Sequence, residues 1–194
     1  MSANLYQLPD NLPVPVDEGA CDHLLGLTLP DVELQSTAGT PINLARWENL
    51  DERWVVVYCY PLTGAPGVAL PDDWDQIPGA RGCTPQSCLF RDLHQQLTHE
   101  GAAVFGLSTQ TTGYQREAKQ RLELPFEILS DSDLAFGVAL RLPTFSPAGT
   151  KLLKRLTLIA RQGVIEKVFY PIFPPTANPP AVLEWIEAAN RRPR

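Results

Sequence analysis

The run Trp54-Val55-Val56-Val57-Tyr58-Cys59-Tyr60 carries no charge and is rich in β-branched and aromatic residues. An unbroken apolar stretch of that length predicts a strand covered on both faces. Residues 102–108 repeat the pattern and predict a second buried strand. Between them Cys88, Leu89, Leu93 and Leu97 share one stripe, with Arg91, Asp92, Gln95 and Gln96 outside it. That spacing predicts one helix over residues 84–99. Residues 32–35 and 41–44, about the turn Thr37-Ala38-Gly39, predict a short hairpin. Thr111 or Thr112 caps a helix through Leu122 that Pro125 ends. A strand at 126–129 follows, and Ser130-Asp131-Ser132-Asp133 starts a short helix through Leu140. Residues 152–160 and 164–170 form a hairpin about Arg161-Gln162-Gly163. A proline-rich connector then leads to an amphipathic helix over 181–190. Hairpin, then alternating strands and helices, then hairpin and helix gives an α/β fold in which parallel strands meet an antiparallel pair.

Two stretches break the periodicity. Residues 1–22 hold Pro9, Pro13 and Pro15 with several Asp and Asn, and read as an N-terminal arm lying over a single domain that spans 23–190. From Pro61 to Pro78 four prolines, two glycines and three aspartates surround Trp74. A stretch without periodicity inside a compact domain is expected to be functional or an ordered excursion. Residues 62–80 are therefore read as an insertion.

The chain has 194 residues and a net charge of −6. An acidic chain lacks the basic footprint that nucleic acid or an anionic membrane requires, so small molecules and proteins are the expected partners. The first ten residues form neither a basic nor a continuous apolar segment, and no run reaches the length of a membrane span, so a soluble cytoplasmic protein is expected. Four cysteines at positions 21, 59, 83 and 88 do not make a disulfide scaffold in a chain of this size. In a reducing compartment the close pair Cys83 and Cys88 reads as redox-active or metal-binding. Cys21 is isolated, and Cys59 lies inside the first buried strand as a small core residue.

Gly79-Ala80-Arg81-Gly82-Cys83-Thr84-Pro85 places Cys83 where a loop enters a helix. Gly82 lets the chain turn, Thr84 can cap, and Pro85 suits a first helical turn. A helix N-terminus presents unpaired N–H groups and partial positive charge, which favours a thiolate. Arg81 either adds to that field or pairs with Asp72, Asp73 or Asp75.

From about Leu24 to Ile186 the chain resembles the peroxiredoxins, specifically the peroxiredoxin Q or bacterioferritin comigratory protein group. Tyr60-Pro61 resembles the family's strand end before the active-site loop. Gly82-Cys83-Thr84, followed by Cys88 and Arg91-Asp92, resembles its peroxidatic and resolving cysteines five residues apart on one helix. Gly106-Leu107-Ser108-Thr109 and Leu129-Ser130-Asp131 resemble later segments, and Arg155 falls where the family keeps its active-site arginine. The resemblance implies a thioredoxin-like fold, a central mixed β-sheet flanked by helices. It implies a peroxidase in which Cys83, Cys88 and Arg155 are catalytic and Pro61 and Thr84 bind substrate. The implied partners are a peroxide and a thioredoxin or glutaredoxin-type reductant, with no metal and no cofactor, in a monomer or homodimer. Ala80 stands where the family places a threonine, and the insertion separates Pro61 from Cys83. Thr63 and Thr84 are the hydroxyls that could take that place.

Heterolysis of an O–O bond needs a thiolate and stabilisation of the charge on the departing oxygen, which amides at Cys83 and the Arg155 guanidinium can supply. Sulfenic acid at Cys83 can then condense with a thiol. On an intact helix five residues advance ~7.5 Å, beyond what a disulfide spans, so the first turns must unwind. A zinc site from Cys83, Cys88, His94 and His99 has the wrong spacing. A dithiol oxidoreductase lacks its C-x-x-C motif, and a non-catalytic binding module on the same fold remains the third reading.

Overall fold

The computed structural model describes residues 8–47 and 54–192. Residues 1–7 of the expected arm lie outside them. A seven-stranded mixed sheet organises the chain. Its strands are β1 (Glu33–Ser36), β2 (Ile42–Asn43), β3 (Trp54–Cys59), β4 (Ala102–Ser108), β5 (Glu127–Ser130), β8 (Leu156–Arg161) and β9 (Val164–Phe169). A separate two-stranded ribbon joins β6 (Thr144–Phe145) to β7 (Leu152–Leu153). The helices are α1 (Cys83–Asp92), α2 (His94–His99), α3 (Thr112–Arg121), α4 (Ala135–Ala139) and α5 (Asn178–Asn190).

Strand order is β2-β1-β5-β4-β3-β8-β9. The β3, β4 and β5 strands are mutually parallel, and β3 also pairs antiparallel with β8 in the register Cys59 to Leu156. Every residue of β3 is buried, because it has a strand on each edge and a hydrophobic layer on each face. Alternation divides it: Val55, Val57 and Cys59 face one layer with Leu107, Phe136 and Leu158. Trp54, Val56 and Tyr58 face the other, with Phe90 of α1, Leu97 of α2 and Ile186 of α5. Tyr58 stacks on Phe90 with centroids 4.5 Å apart, and each fully buried side chain of this kind stabilises by roughly 1.5–3 kcal/mol. Gly106 makes room for this layer, since a Cβ there would lie 2.8 Å from the Tyr58 hydroxyl oxygen.

The buried strands at 54–59 and 102–108 and the 33–43 hairpin lie where the hydrophobic pattern places them. Four boundaries differ. The helix expected over 84–99 is two helices meeting at Leu93, where the backbone tightens to φ −92° and ψ 0°. The strand expected over 152–160 is broken between β7 and β8, leaving Lys154 and Arg155 outside both. The short helix expected from Ser130 begins at Ala135, because the buried Asp131 carboxylate accepts from the Phe136 and Gly137 N–H groups and fixes the start. The last helix starts at Asn178 rather than 181, with Pro179 and Pro180 in its first turn, where a missing N–H costs nothing.

The stretch from Pro61 to Pro78 is ordered onto the domain. Thr63 and Gln110 exchange buried hydrogen bonds of 3.0 and 3.1 Å at its start. A 3-10 turn at Trp74–Gln76 buries Trp74 against Ala80 and Leu152 at its end. No helix among the described residues is long and apolar enough to cross a membrane.

Candidate active site

Cys83 is the first residue of α1. Its N-cap is Gly82, held at φ 101°, a left-handed conformation that glycine adopts freely. A Cβ at Gly82 would come within 2.6 Å of the Pro175 ring, so the connector before α5 packs directly on this turn. Thr84 is the second helical residue, and no side chain caps α1. The expectation that Thr84 caps is therefore corrected: glycine geometry rather than a hydroxyl ends the loop. Thr111 is the N-cap of α3, likewise without a side-chain bond.

Arg155 reaches this turn from the bend between β7 and β8. It shares the parity of Thr157 and Ile159, whose side chains face α1 and α5. Its Nη2 donates to Cys83 Sγ at 3.1 Å, to the Ala80 carbonyl at 3.1 Å and to the Arg81 carbonyl at 3.0 Å. Its Nη1 donates to Gln86 Oε1. Gln86 Nε2 donates in turn to Asn178 Oδ1 at 2.9 Å, which also accepts from Thr157 Oγ1 at 2.8 Å. The Cys83 sulfur lies 3.6 Å from the Ala80 carbonyl oxygen. A guanidinium only donates, so the sulfur is the acceptor in the Arg155 contact. Among the described residues no carboxylate pairs with Arg155, which is 3% exposed. A buried cation is costly unless compensated, and among the described residues the one ionisable group hydrogen-bonded to it is Cys83.

Cys83 itself is 3% exposed and Cys88 is fully enclosed. Cys88 packs in the layer of Phe90 and Leu97, and burial pushes its thiol up, with Arg91 opposing. Burial also raises Tyr58 and Tyr60, and charge on Cys83 adds to both, so the two phenols are protonated neighbours of the sulfur. The Tyr58 hydroxyl donates to Ser87 Oγ at 3.1 Å. Pro61 is buried at the end of β3. Ala80 contributes only its carbonyl, and the Thr63 hydroxyl is bound to Gln110 Oε1 at 3.0 Å. Arg81 pairs with Asp75 at 2.9 Å, half out in solvent. Burial together with Asp17 and Asp22 pushes Cys21 up to about 12, and burial holds Cys59 well above the ordinary thiol range.

The sequence reading named Cys83 and Arg155, which the fold brings together, but it missed Gln86 and Asn178. Gln86 stands three residues after Cys83 on one helix face, a spacing that flags a shared neighbour. Asn178 sat in the supposed connector and gave no signal.

A model of the family described as Redoxin matches residues 24–184. The chain belongs to the Redoxin family. Among its relatives is peroxiredoxin Q, chloroplastic, from Oryza sativa subsp. japonica, 29% identical over 153 residues, covering 77% of this chain and 60% of that protein. The chain thus spans less than two thirds of the rice relative. The putative peroxiredoxin bcp of Coxiella burnetii is 28% identical over 149 residues, covering 75% of this chain and 87% of that one. In structure it is similar to peroxidoxin BcpB from Mycobacterium tuberculosis, with TM-score 0.67 and 23% identity over 87% of this chain and 98% of that one. It is also similar to the Xanthomonas campestris bacterioferritin comigratory protein, with TM-score 0.64 and 18% identity over 93% and 100% of the two chains. These matches set the Redoxin chain beside peroxiredoxin Q and the bacterioferritin comigratory proteins, and the fold is thioredoxin-like.

Proposed function

We propose that this Redoxin chain is a thiol-dependent peroxidase. The observation that carries the reading is the 3.1 Å contact from the Arg155 guanidinium to Cys83 Sγ at the first turn of α1. The Cys83 thiolate attacks the terminal oxygen of a hydroperoxide, the S–O bond forms and the O–O bond breaks. The departing oxygen leaves as an alkoxide or hydroxide that takes up a proton, and Cys83 remains as sulfenic acid. Arg155 donates to the departing oxygen as its charge grows, and the α1 amides serve the sulfur. Pro61, buried just past β3, and Thr84, whose hydroxyl is the nearest to the nucleophile in the chain, are assigned to the substrate in this reading.

Cys88 then attacks the sulfenic acid, forming a disulfide and releasing water. Both cysteines lie on one continuous helix, so α1 unwinds locally for this step. A thioredoxin or glutaredoxin-type dithiol restores both thiols by exchange. The reading is supported by relatives named peroxiredoxin and by the alkyl peroxide reduction described for the Xanthomonas campestris protein. It includes residence in the cytoplasm, where thiols stay reduced, as a monomer or homodimer; all four cysteines are free. The test is consumption of hydrogen peroxide with a thioredoxin system: wild type turns over and Cys83→Ser does not. Equal consumption by both would remove the proposal.

A further inference from the structure

Asn178 is the first residue of α5 and is buried where that helix meets α1 and β8. Its Oδ1 accepts twice, from Gln86 Nε2 at 2.9 Å and from Thr157 Oγ1 at 2.8 Å. Its Nδ2 is buried and has no hydrogen-bond partner among the described residues. A buried amide with an unpaired donor loses stability, so some other demand sets the way this one faces.

Arg155 makes that demand. A guanidinium has donors only, so Gln86 must turn its Oε1 to Arg155 Nη1. Gln86 Nε2 is thereby directed to the far side, where it needs an acceptor. Asn178 supplies one by turning Oδ1 inward, and its own Nδ2 is left over. Reversing the Asn178 amide would set two donors against each other. The unpaired Nδ2 is thus the consequence of an orientation that ends, three hydrogen bonds away, at the Cys83 sulfur.

Gln86 also lies between Cys83 and Cys88 on α1. The segment that has to change shape before those two sulfurs can join therefore carries the middle of this string of bonds. Opening α1 pulls Gln86 off both Arg155 and Asn178, and leaves Asn178 Oδ1 with the Thr157 hydroxyl alone.

We propose that Asn178 is a positioning residue with opposite effects on the two steps at Cys83. Through Gln86 it aims Arg155 at the sulfur for the attack on peroxide, and it latches α1 closed against disulfide formation. This rests on the peroxidase reading above and deepens it. In the first step Cys83 takes the terminal peroxide oxygen as the O–O bond breaks, and the departing oxygen takes up a proton. In the second the Cys88 sulfur joins the sulfenic sulfur, and the thiol proton leaves with the hydroxyl as water. Loosening Asn178 slows the first step and speeds the second, a split that a purely structural residue does not produce.

The test mixes reduced protein with hydrogen peroxide, quenches in acid and follows both steps by mass spectrometry. Loss of the Cys83 thiol depends on peroxide concentration, whereas closure of the Cys83–Cys88 disulfide is first order and does not. Asn178→Leu removes the acceptor and is expected to lower the second-order constant about tenfold and to raise the first-order constant about fivefold. Asn178→Asp keeps the acceptor at a helix start that favours a carboxylate, and is expected to return both constants toward wild type. Thr157→Val keeps the side-chain volume and carries the same test if Asn178→Leu does not fold, with both constants shifting in the same two directions by less. If wild type shows both steps, the latch is overturned and the peroxidase reading stands when the variants move the two constants together or not at all, or when Asn178→Asp is no closer to wild type than Asn178→Leu. Failure of wild-type Cys83 to react with peroxide overturns both.

Discussion

Arg155 Nη2 and Cys83 Sγ lie 3.1 Å apart although 72 residues separate them in the chain. One is placed by the bend between two strands and the other by the first turn of a helix. The contact exists because β8 is an interior strand, between β3 and β9, so that the side of the sheet on which Arg155 emerges is roofed by α1. Replacing Arg155 with methionine keeps most of the volume and removes the donors. The expected outcome is a loss of about 10²–10³ in kcat/KM for peroxide, read by steady-state kinetics. Arg155→Lys is expected to recover little, because an ammonium cannot reach the sulfur, Gln86 and two carbonyls with one planar fork.

Gln86 holds that fork in place by accepting from Nη1 while donating to Asn178. It touches neither sulfur nor substrate in the scheme, so its role is positioning. Gln86→Met leaves Arg155 Nη1 and Asn178 Oδ1 each short of a partner and is expected to destabilise by about 1–3 kcal/mol in denaturant unfolding. It is also expected to lower kcat for peroxide with KM changed less. A stability loss with unchanged kcat would assign Gln86 to the fold alone.

The fold was legible where hydrophobicity is decisive. The unbroken runs that became β3 and β4 have only one way to bury themselves, and the sequence reading places both. Leu93 gave no warning of the break between α1 and α2, because the apolar stripe continues through it without Gly or Pro. The β7–β8 break was hidden for a related reason: Lys154 and Arg155 look like an exposed pair in a hairpin, and only the position of β8 inside the sheet turns Arg155 inward. Pro179 and Pro180 were read as connector when they form the first turn of α5. At the site, the junction of loop and helix marked Cys83 and a family resemblance named Arg155, whereas Gln86 and Asn178 act through contacts 92 residues apart that no local pattern encodes.

Cys88 is fully enclosed and burial holds its thiol protonated, so disulfide formation waits on the opening of α1. After one equivalent of peroxide, peptide mapping is expected to find Cys83 joined to Cys88. Hydrogen exchange is expected to show amide protection lost over the first turns of α1 while β3 and β4 keep theirs. Cys88→Ser should retain that protection after the same treatment.

Cys21 gives a pH dependence unrelated to catalysis. Burial and two nearby aspartates raise its folded pKa from 9.0 to about 12. The folded state then holds the proton more tightly than the unfolded one, so the stabilisation is complete below pH 9 and is lost as pH rises toward 12. Unfolding free energy measured across that window is expected to fall more steeply for wild type than for Cys21→Ala, with no such difference at neutral pH.

The central claim is that Cys83 is the atom that takes oxygen from peroxide. Reduced Cys88→Ser protein treated with one equivalent of hydrogen peroxide and a sulfenic-acid trap, then digested and mapped by mass spectrometry, tests it most directly. The account predicts the trap on Cys83, its loss in the protein that also carries Arg155→Met at short times, and none on Cys21 or Cys59. Peroxide consumed with the trap on another cysteine, or no trap on Cys83 at all, would contradict it.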